Sequence, residues 1–376
     1  MLSFYLIWST CYLILLWLLS RTWRLDDIKA TSAKNDFKVS LLIPFRNEIG
    51  NLPSLVNEVQ KLQPSIYEVI LVDDHSEDES RKFLENAFQD LANITVLKSK
   101  GLGKKEAISL GVSIASGEII CCSDADCRFN ENWIESITKP FQSESVQLVA
   151  GPVISSYSTS FFFSFQQIEW GSILLVTNYF FTKSNPLMCS AANMAYRKSA
   201  FEAVNGYQGN LDQPSGDDEF LLKKIAEKYP KGSCVYVIKP GALVYTESQK
   251  NWPALVQQRI RWASKWRAHQ SVTHSFSAIF SFLVQLVWLA SFLLLFQGAT
   301  GMIVFWIVWI LKILAEQNAL AKPLKTYLIR QKLLNFICTS FLHPIFVLTV
   351  GFAALRGKFS WKGRGNGRSV ILANKS

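Results

Sequence analysis

Short apolar runs alternate with helix-like segments over residues 39–122, and this alternation limits the fold more than any other feature of the sequence. A run that is apolar throughout is typical of a strand buried on both faces, as in a parallel sheet. Ser76 and Glu79, three residues apart, predict a capping box for the helix after the second strand. We therefore expect an α/β fold with a mostly parallel sheet flanked by helices. The predicted strands are residues 39–43, 68–72, 94–97 and 119–122.

The last of these strands ends in two carboxylates, Asp124 and Asp126, which one residue separates. Ligands of open α/β sheets bind at the carboxyl ends of the strands. Two hard oxygen donors at this spacing can hold a divalent cation against a diphosphate. An isolated Asp-x-Asp can also simply begin a turn. The choice between a turn and a ligand site therefore depends on the other residues of the chain.

Polar residues follow the first two strands as well. Pro44, Asn47 and Glu48 come at the end of the first strand, and Asp73 with Asp74 follows the second. Each group is thereby delivered to the edge of the sheet at which ligands bind.

The segment Gly101-Leu-Gly-Lys104 is similar to two phosphate-binding motifs but matches neither. A dinucleotide fingerprint needs a glycine where Glu106 stands, and the P-loop pattern of Gly-x4-Gly-Lys-Ser/Thr is absent. Two interpretations remain: a glycine turn with a solvated lysine, or a cation, Lys104, placed near a nucleotide.

Two further groups of residues allow both a structural and a functional interpretation. Asp217 and Asp218 open a predicted helix, where acids favour the helix dipole, although a carboxylate aimed into a cleft can also take a proton from a hydroxyl. Gln258, Arg261 and Trp262 belong to a segment of interleaved cations and indoles. Such a segment suits a membrane interface, a nucleic-acid surface, or a site for a diphosphate and a sugar.

The first residues of the chain predict a membrane anchor. Residues 2–19 are almost continuously apolar, and Arg21 and Arg24 follow them. No charged segment precedes the apolar run and no cleavage site stands out, so an uncleaved transmembrane segment over residues 1–24 is favoured over a signal peptide. The positive flank places the next domain in the cytoplasm.

The C-terminal part predicts a transmembrane region of two to three segments over residues 275–356 and a basic tail over residues 357–376. The loop and the tail that flank the last segment are both basic, which would make both cytoplasmic. A single crossing cannot satisfy both, so either the segment re-enters at its proline or the tail departs from the charge rule. The candidate segments are residues 276–296, 302–320 and 333–355, the last interrupted at His343-Pro344.

Composition excludes several other classes. A net charge of +10 would suit a nucleic-acid binder, but much of it lies beside apolar segments, where Lys and Arg mark the cytoplasmic membrane face. The seven cysteines are an odd number and lack the spacing of a disulfide framework. Only four histidines are present and none is spaced with the cysteines as zinc ligands are, so a reducing compartment without a zinc site is expected.

The order of these motifs resembles that of the membrane-bound inverting glycosyltransferases of family 2. The resemblance covers residues 39–262, and the flanking apolar segments agree with it. It is nearest to the subgroup of ceramide glucosyltransferases, bacterial lipid glycosyltransferases and polysaccharide synthases, and Trp361-Lys-Gly-Arg364 also looks like tails of that subgroup. The motifs are Asp73-Asp74, Asp124-x-Asp126, Asp217-Asp218 and Gln258-x-x-Arg261-Trp262.

The resemblance implies a GT-A fold over residues 37–272 and a role for each motif. Pro44, Asn47, Glu48, Asp73 and Asp74 would hold the nucleoside, and Lys104 would lie near the nucleotide. Asp124 and Asp126 would bind Mg²⁺ or Mn²⁺ with the donor, Asp126 being the surer ligand. Asp218 would deprotonate the acceptor, although Asp217 stands where the family usually has Glu and leaves the choice between the two open. Gln258, Arg261 and Trp262 would line the pyrophosphate and acceptor side.

The implied function is transfer of a sugar, with inversion, from a nucleotide-diphospho-sugar to a membrane lipid acceptor. A UDP-sugar is the expected donor, the inner cell membrane the expected location, and the catalytic domain is expected in the cytoplasm. A processive polysaccharide synthase is the alternative, but few apolar segments follow the catalytic domain to form a polymer channel. A membrane-tethered nucleotide-sugar-binding protein without catalysis is a further alternative. No nucleic-acid partner is expected, and the sequence identifies neither the sugar nor any protein partner.

Overall fold

The computed structural model describes residues 1–25, 37–211, 213, 215–264, 272–355, 360–361 and 364–365. The chain divides into two compact units. We call residues 1–24, 155–179 and 248–360 the helical unit, and residues 25–154, 180–247 and 361–376 the sheet unit. This division differs from the predicted linear boundaries, because residues 155–179 and 248–264 fall within the domain expected over residues 37–272 but belong to the helical unit.

Helices and strands are numbered along the chain. The helices are α1 (Leu2–Arg21), α2 (Leu52–Leu62), α3 (Ser80–Ala87), α4 (Lys104–Ile114), α5 (Trp133–Thr138), α6 (Phe161–Thr182), α7 (Lys198–Ala203), α8 (Asp217–Lys228), α9 (Trp252–Ala263), α10 (Val272–Ala290), α11 (Gly298–Thr326) and α12 (Leu333–Leu355). The strands are β1 (Val39–Phe45), β2 (Glu68–Asp73), β3 (Ile94–Lys98), β4 (Ile119–Cys122), β5 (Arg128–Phe129), β6 (Leu148–Ala150), β7 (Val153–Ser155), β8 (Met194–Arg197), β9 (Cys234–Tyr236), β10 (Val244–Thr246), β11 (Ser360–Trp361) and β12 (Arg364–Gly365).

The sheet unit is built on a seven-stranded sheet in the order β3-β2-β1-β4-β8-β6-β9. Strands β1 to β4 pair in parallel, as the alternation of apolar runs predicted. Strand β8 runs antiparallel to both of its neighbours, β4 and β6, while β6 and β9 are parallel. The prediction of a mostly parallel α/β sheet is confirmed.

The core of the sheet unit explains why these strands are mostly apolar. Leu42 and Ile120 point from neighbouring strands into a cluster that also contains Ile108 of α4 and Leu222 of α8, and all four are essentially inaccessible to solvent. Because β1 is flanked by β2 on one side and β4 on the other, the chain reverses its winding direction between β1 and β4. Such a switch point leaves a crevice at the carboxyl ends of the strands.

In the part of the helical unit that the structure describes, four helices are long and apolar enough to cross a membrane, judged on length and composition. The predicted segment at residues 276–296 corresponds to α10 and a 3₁₀ helix that continues it, and the arm predicted at residues 302–320 is part of the longer α11. Helix α12 runs through Pro344 without ending there, so the interruption predicted at this proline is not found. The four helices are Leu2–Arg21, Phe276–Phe296, Gly298–Thr326 and Leu333–Leu355.

Helix α6 carries polar side chains that lie in the interior of the helical unit. Gln166, Gln167 and Glu169 are all buried. Gln167 Nε2 donates to Ser155 O at 3.1 Å, and Gln166 Nε2 donates to Gln249 O at 3.2 Å. Buried amides that are hydrogen-bonded in this way are part of the packing of the helical unit.

Candidate functional site

Asp124 and Asp126 lie in the loop that follows β4. Ser123 Oγ donates to Ala192 O at 2.8 Å and so ties the loop to the segment before β8. Cys127 N donates to Asp124 O at 3.2 Å, which closes a tight turn around the two carboxylates. They therefore lie at the carboxyl end of the parallel strands, where the sequence predicted them.

Lys104 is the first residue of α4 and lies between two of the predicted site carboxylates. Gly103, with φ of +103°, precedes it and donates its N–H to Asp74 Oδ1 at 2.7 Å. A side chain at position 103 would be strained in this conformation, which explains the glycine. Lys104 Nζ lies 2.6 Å from Asp124 Oδ1 and 3.2 Å from Asp217 Oδ2. Lys104 is therefore ion-paired with 24% of its side chain exposed, and its predicted position near a nucleotide stays a prediction.

These contacts determine the charge of Lys104. Burial alone would lower the pKa of its ammonium group, but the carboxylates of Asp124, Asp217 and Asp218 raise that pKa well above its usual range. Lys104 therefore carries a positive charge throughout the physiological pH range, in a place where three acids converge.

The surroundings of Asp126 disfavour the charged form of its carboxyl group. Burial, together with the negative charges of Asp124 and Glu48, raises the pKa of its carboxyl group to about 6. A hydrogen bond from Thr246 Oγ1 to Asp126 Oδ2, at 3.1 Å, lowers the pKa only in part. A carboxylate whose ionisation is disfavoured by its surroundings gains most from a cation bound beside it.

The donors at this edge fit a divalent cation that shares its coordination with a diphosphate. Asp126 supplies carboxylate oxygens, which are hard donors, close to other negatively charged groups. Asp124 lies two residues before it. Among the residues that the structure describes, no group of three or more His, Cys, Asp or Glu side chains is arranged to hold a metal ion by itself. Phosphate oxygens of a bound donor would have to complete the coordination, as is usual for Mg²⁺ at phosphate-binding sites.

Asp217 and Asp218 occupy the first turn of α8. The helix begins after Gly216, whose φ of +87° places the acids at its N-terminus. Asp218 Oδ1 accepts a hydrogen bond from Glu219 N at 2.8 Å, and its Oδ2 accepts one from Ala191 N at 3.3 Å. Asp217 is buried and contacts Lys104, as described above. The acids therefore both stabilise the helix terminus and belong to the cluster around Lys104.

Asp73 and Asp74 are only 2% exposed and fix the loops of the site. Asp73 Oδ1 accepts a hydrogen bond from Ser76 N at 2.9 Å. Asp74 Oδ1 accepts the Gly103 N–H, and thereby determines where α4 and its lysine begin. Their predicted contact with the nucleoside stays a prediction.

The residues after β1 form the neighbouring loop. Pro44 is inside β1, and Asn47 adopts a left-handed conformation with φ of +48°. Asn47 Oδ1 accepts a hydrogen bond from Glu77 N at 2.7 Å, and Glu48 Oε2 accepts one from Asn51 Nδ2 at 2.8 Å. The structure thus brings Asn47 and Glu48 to the same edge as Asp74 and Asp126.

Arg46 has a structural role that the sequence reasoning missed. Its side chain is 6% exposed and donates to Asp74 O at 3.1 Å, to His75 O at 2.8 Å and to Glu77 Oε1 at 2.7 Å. It joins the loops after β1 and β2, which carry Asn47 and Asp74. A charged residue directly after a mostly apolar strand was the available signal, because such a residue needs partners when it is buried.

Gln258, Arg261 and Trp262 lie on α9 in the helical unit, whereas the other predicted site residues all lie in the sheet unit. Helix α9 begins after Asn251, whose Oδ1 accepts a hydrogen bond from Ala254 N at 2.9 Å.

The organising residue of this helix is Arg259, which the sequence reasoning did not single out. Its guanidinium forms a bidentate ion pair with Glu169 of α6, with Nε–Oε1 and Nη2–Oε2 distances of 2.8 Å. It also donates to Gln258 Oε1 and lies 4.2 Å from the centre of the Trp262 ring. The Trp262 ring meets that of Trp170 edge to face at 5.5 Å. Two of the three predicted residues of α9 are therefore positioned by one buried arginine.

Comparison with known proteins shows what this chain is similar to. Residues 40–204 match the family described as Glycosyl transferase family 2. A 94-residue segment is 39% identical to undecaprenyl-phosphate 4-deoxy-4-formamido-L-arabinose transferase of Yersinia pestis (strain Pestoides F), and covers 24% of this chain and 29% of that protein. The same figures hold for the transferase of that name from Yersinia pseudotuberculosis serotype I (strain IP32953). The chain therefore spans less than a third of the length of these curated relatives.

A solved structure extends the similarity to the whole fold. Mannosyltransferase PcManGT from Pyrobaculum calidifontis, in complex with GDP-Man and Mn²⁺, matches with a TM-score of 0.56 over 100% of both chains, at 14% sequence identity. At this identity the match bears on the fold alone, and it confirms the expected GT-A architecture.

Proposed function

This chain carries a glycosyltransferase family 2 domain over residues 40–204, and from that premise we propose that it transfers a sugar from a nucleotide-diphospho-sugar to a membrane lipid. One observation supports this more than any other. Lys104 bridges Asp124 and Asp217 beside Asp126, at the carboxyl edge of the sheet. This arrangement supplies a cation, a metal-binding carboxylate and a base within one cluster, which are the groups that displacement of a diphosphate from a sugar requires.

We propose that the donor binds with its nucleoside toward the loops that hold Asn47, Glu48, Asp73 and Asp74. A UDP-sugar is our preferred donor. Asp126, with Asp124, would hold Mg²⁺ or Mn²⁺, and the metal would neutralise charge on the leaving diphosphate. Support for a metal comes from burial and from the neighbouring carboxylates of Asp124 and Glu48, which together raise the pKa of Asp126 to about 6.

Lys104 would stabilise the same leaving group from the protein side. Its ammonium is held by Asp124 and Asp217 before any ligand arrives, so it needs no rearrangement to meet developing negative charge. We propose that Gln258, Arg261 and Trp262 bind the pyrophosphate and the acceptor, on the ground of their residue types.

Asp218 would accept the proton of an acceptor hydroxyl, with Asp217 as the alternative base. A base on the face opposite the leaving group permits direct displacement, which inverts the configuration at the anomeric carbon. Asp217 contacts Lys104 directly, and an ammonium at 3.2 Å makes a carboxylate a weaker base. Asp218 accepts hydrogen bonds from the backbone N–H groups of Ala191 and Glu219. It also occupies the position at which the family resemblance puts the base, so Asp218 is our first choice.

A lipid acceptor is supported by two observations. Among the described residues, four helices are long and apolar enough to cross a membrane. The curated relatives it matches are named for undecaprenyl phosphate. We propose that the protein is a multi-pass protein of the inner cell membrane with its sheet unit in the cytoplasm.

The test is transfer by the detergent-solubilised full chain from a panel of radiolabelled nucleotide sugars to a membrane lipid extract, with Mn²⁺ or with EDTA. Metal-dependent movement of label into the organic phase supports the proposal and identifies the donor. Label in ethanol-insoluble polymer would instead support a polysaccharide synthase. Binding of a donor without turnover would support a binding protein, and both results would overturn lipid transfer.

A matched pair of variants tests the base. Asp218→Asn should lower turnover by about 10² to 10⁴-fold with little change in donor binding. Glu227→Gln removes an exposed carboxylate from the same helix and should leave turnover unchanged. Near-full activity of Asp218→Asn would move the assignment to Asp217, to be tested by Asp217→Asn.

A further inference from the structure

Helix α4 begins with two consecutive lysines, of which the first, Lys104, belongs to the carboxylate cluster described above. The second, Lys105, is only 4% exposed. Its ammonium group donates to Asn210 O at 2.7 Å and to Gln213 O at 3.1 Å. Burial of a charge is unfavourable unless the protein supplies hydrogen-bond partners, and these two carbonyl oxygens are such partners.

Both carbonyl oxygens belong to the connection between α7 and α8, which the structure describes at residues 204–211, 213 and 215–216. We call this connection the α8 loop. Lys224 Nζ, on α8, donates to Gly206 O and to Gln208 O of the same loop, each at 2.7 Å. Carbonyl oxygens outside helices and strands need partners of this kind. The backbone of the loop is therefore held from α4 by one lysine and from α8 by another.

Lys105 also contacts α8 itself. Its Nζ lies 4.5 Å from the centre of the Phe220 ring. Phe220 N donates to Gly216 O at 3.0 Å, so this residue belongs to the first turn of α8, which also carries Asp217 and Asp218. A cation above an aromatic ring is attracted by it, and more strongly where water is excluded. Lys105 thus holds both the loop and the helix terminus that follows the loop.

The two lysines connect the same two helices by different contacts. Lys104 reaches α8 through Asp217, at 3.2 Å, whereas Lys105 reaches it through Phe220 and the α8 loop. Consecutive residues of an α-helix point about 100° apart, so the two contacts leave α4 in different directions. Two contacts in different directions fix an orientation as well as a distance. The placement of the first turn of α8 relative to α4 therefore depends on both lysines.

This placement matters for the proposed reaction. Lys104 of α4 would stabilise the leaving diphosphate, and Asp218 of α8 would take the acceptor proton from the opposite side of the sugar. Direct displacement needs the attacking oxygen, the anomeric carbon and the leaving oxygen in line, which fixes the position of the base relative to the leaving group. A misplacement of about 1 Å in such an arrangement can lower the rate by about 10²-fold.

We propose that Lys105 is a positioning residue for sugar transfer: it holds the first turn of α8, and with it Asp218, where displacement from the Lys104 side requires the base. The inference rests on the proposed function and adds to it a residue that contacts neither substrate. Lys105 takes no part in donor binding or in proton transfer. Its removal should therefore slow the chemical step and leave donor binding unchanged.

The first experiment compares transfer by the full chain in detergent with binding of radiolabelled UDP in the presence of Mn²⁺. Lys105→Met keeps the length of the side chain without its charge, and should lower kcat by about 10- to 100-fold while the Kd for UDP changes less than about twofold. Lys105→Arg should keep most of kcat, because a guanidinium can donate to two carbonyl oxygens and stack on Phe220. Lys228→Met, which removes an exposed lysine at the other end of α8, is the control. Unchanged kcat in Lys105→Met, or loss of UDP binding, would overturn the proposal.

A double-mutant cycle with the base separates positioning from general damage to the fold. If Lys105 acts through Asp218, Lys105→Met should lower the residual turnover of Asp218→Asn by less than about twofold, because no base remains to be aligned. Multiplied losses in the double variant would overturn the proposal. Phe220→Leu removes only the ring contact, and provides a second cycle if Lys105→Met does not fold. It should lower kcat about fivefold in the wild type and less than about twofold in Asp218→Asn.

Hydrogen exchange, followed by mass spectrometry, separates this inference from the proposed function because it does not require turnover. Peptides from the α8 loop and the first turn of α8 should exchange at least about tenfold faster in Lys105→Met than in the wild type, whereas peptides from α2 should not change. Faster exchange without sugar transfer by any of the proteins would refute the proposed function and leave the connection between α4 and α8 supported. Transfer with unchanged exchange and unchanged kcat in Lys105→Met would refute the positioning role alone.

Discussion

The ammonium group of Lys104 lies 2.6 Å from Asp124 Oδ1, so a carboxylate predicted to bind metal is already paired with a lysine. The same ammonium group reaches Asp217, at 3.2 Å. Asp126 has no cationic partner that we find in the described residues, and burial, together with the charges of Asp124 and Glu48, raises the pKa of its carboxyl group to about 6. The two aspartates of the motif therefore differ: Asp124 is paired with Lys104, whereas Asp126 is not.

Replacement of Lys104 by methionine should impair use of the donor. Two close carboxylates would lose the ammonium between them, and the leaving diphosphate would lose a preorganised cation. Charged hydrogen bonds contribute about 1.5–3 kcal/mol, so kcat/KM for the donor should fall by about 10- to 100-fold in the transfer assay. Lys100→Met, which removes an exposed lysine just before the glycine turn, is the control. Wild-type kcat/KM in Lys104→Met would show that the lysine has only a structural role.

Metal affinity should depend on pH around the raised pKa of Asp126. The metal binds the ionised carboxylate, which dominates above a pH of about 6 in the metal-free protein. Below that pH the metal must displace a proton, so the affinity for Mn²⁺ should fall by up to about tenfold per pH unit. Titration of Mn²⁺ by electron paramagnetic resonance at pH 5, 6 and 7, with the nucleotide present, measures this dependence.

The corresponding variants locate the titrating group. Asp126→Asn should bind Mn²⁺ weakly at all three pH values, whereas Asp90→Asn, which removes an exposed carboxylate of the same unit, should keep the wild-type profile.

In the metal-free protein, folding stability depends on pH in the opposite direction to metal affinity. Because the folded state raises the pKa of Asp126, it binds more protons than the unfolded chain between about pH 4 and 6, and loses stability as the pH rises through that range.

The fold was readable from the sequence because parallel strands are buried on both faces and therefore stand out as apolar runs. The same runs predicted which polar residues reach the carboxyl edge, including Asp74 and Asp126. The hydrogen bonds of the loop residues could not be predicted from the sequence. The capping box predicted from Ser76 and Glu79 is wrong, because α3 starts only at Ser80 and Ser76 Oγ instead accepts the Asn47 N–H at 3.0 Å. Short polar residues bond to whichever backbone group the loop brings near, and that depends on the rest of the fold.

The sequence also did not predict contacts between residues that are distant along the chain. Glu169 and Arg259 are 90 residues apart, and no local pattern connects them. The division of the chain into units also went unpredicted, because α6 is distant in sequence from α9 and from the membrane helices, although all of them pack in the same unit. Hydrophobic periodicity reports that a helix is buried, but not which helix it packs against.

The Glu169–Arg259 pair should be essential for the helical unit. Both side chains are less than a tenth exposed, so Arg259→Met leaves a buried carboxylate without its cation, at a cost of about 3–5 kcal/mol in unfolding free energy. Thermal unfolding of the detergent-solubilised protein measures the loss. Arg259→Lys should recover little of it, because an ammonium can neither bind the carboxylate in two places nor stack on Trp262. Lys250→Met, an exposed cation just before α9, is the control. Full stability of Arg259→Lys would contradict a geometric role for the guanidinium.

A second buried pair, Lys312 and Glu316 of α11, should hold the membrane helices together. Lys312 Nζ lies 2.5 Å from Glu316 Oε1, which also accepts the Tyr12 hydroxyl of α1 at 2.7 Å. Glu316 Oε2 accepts the hydroxyl of Ser340 on α12, whose carbonyl oxygen accepts a hydrogen bond from Lys312 at 3.1 Å. Three helices thus share one ion pair within their apolar segments, where an unpaired charge is very unfavourable.

A double-mutant cycle distinguishes this pairing from general packing. Lys312→Met and Glu316→Gln should each lower the unfolding free energy by about 3–5 kcal/mol, since each leaves one polar or charged partner buried alone. The double variant Lys312→Met/Glu316→Gln removes both charges and should be more stable than the sum of the single losses predicts, because no uncompensated charge remains. Thermal unfolding in one detergent measures all four proteins. Additive losses would mean that the two charges do not stabilise each other, and that the contacts of α1 and α12 with Glu316 do not depend on the lysine.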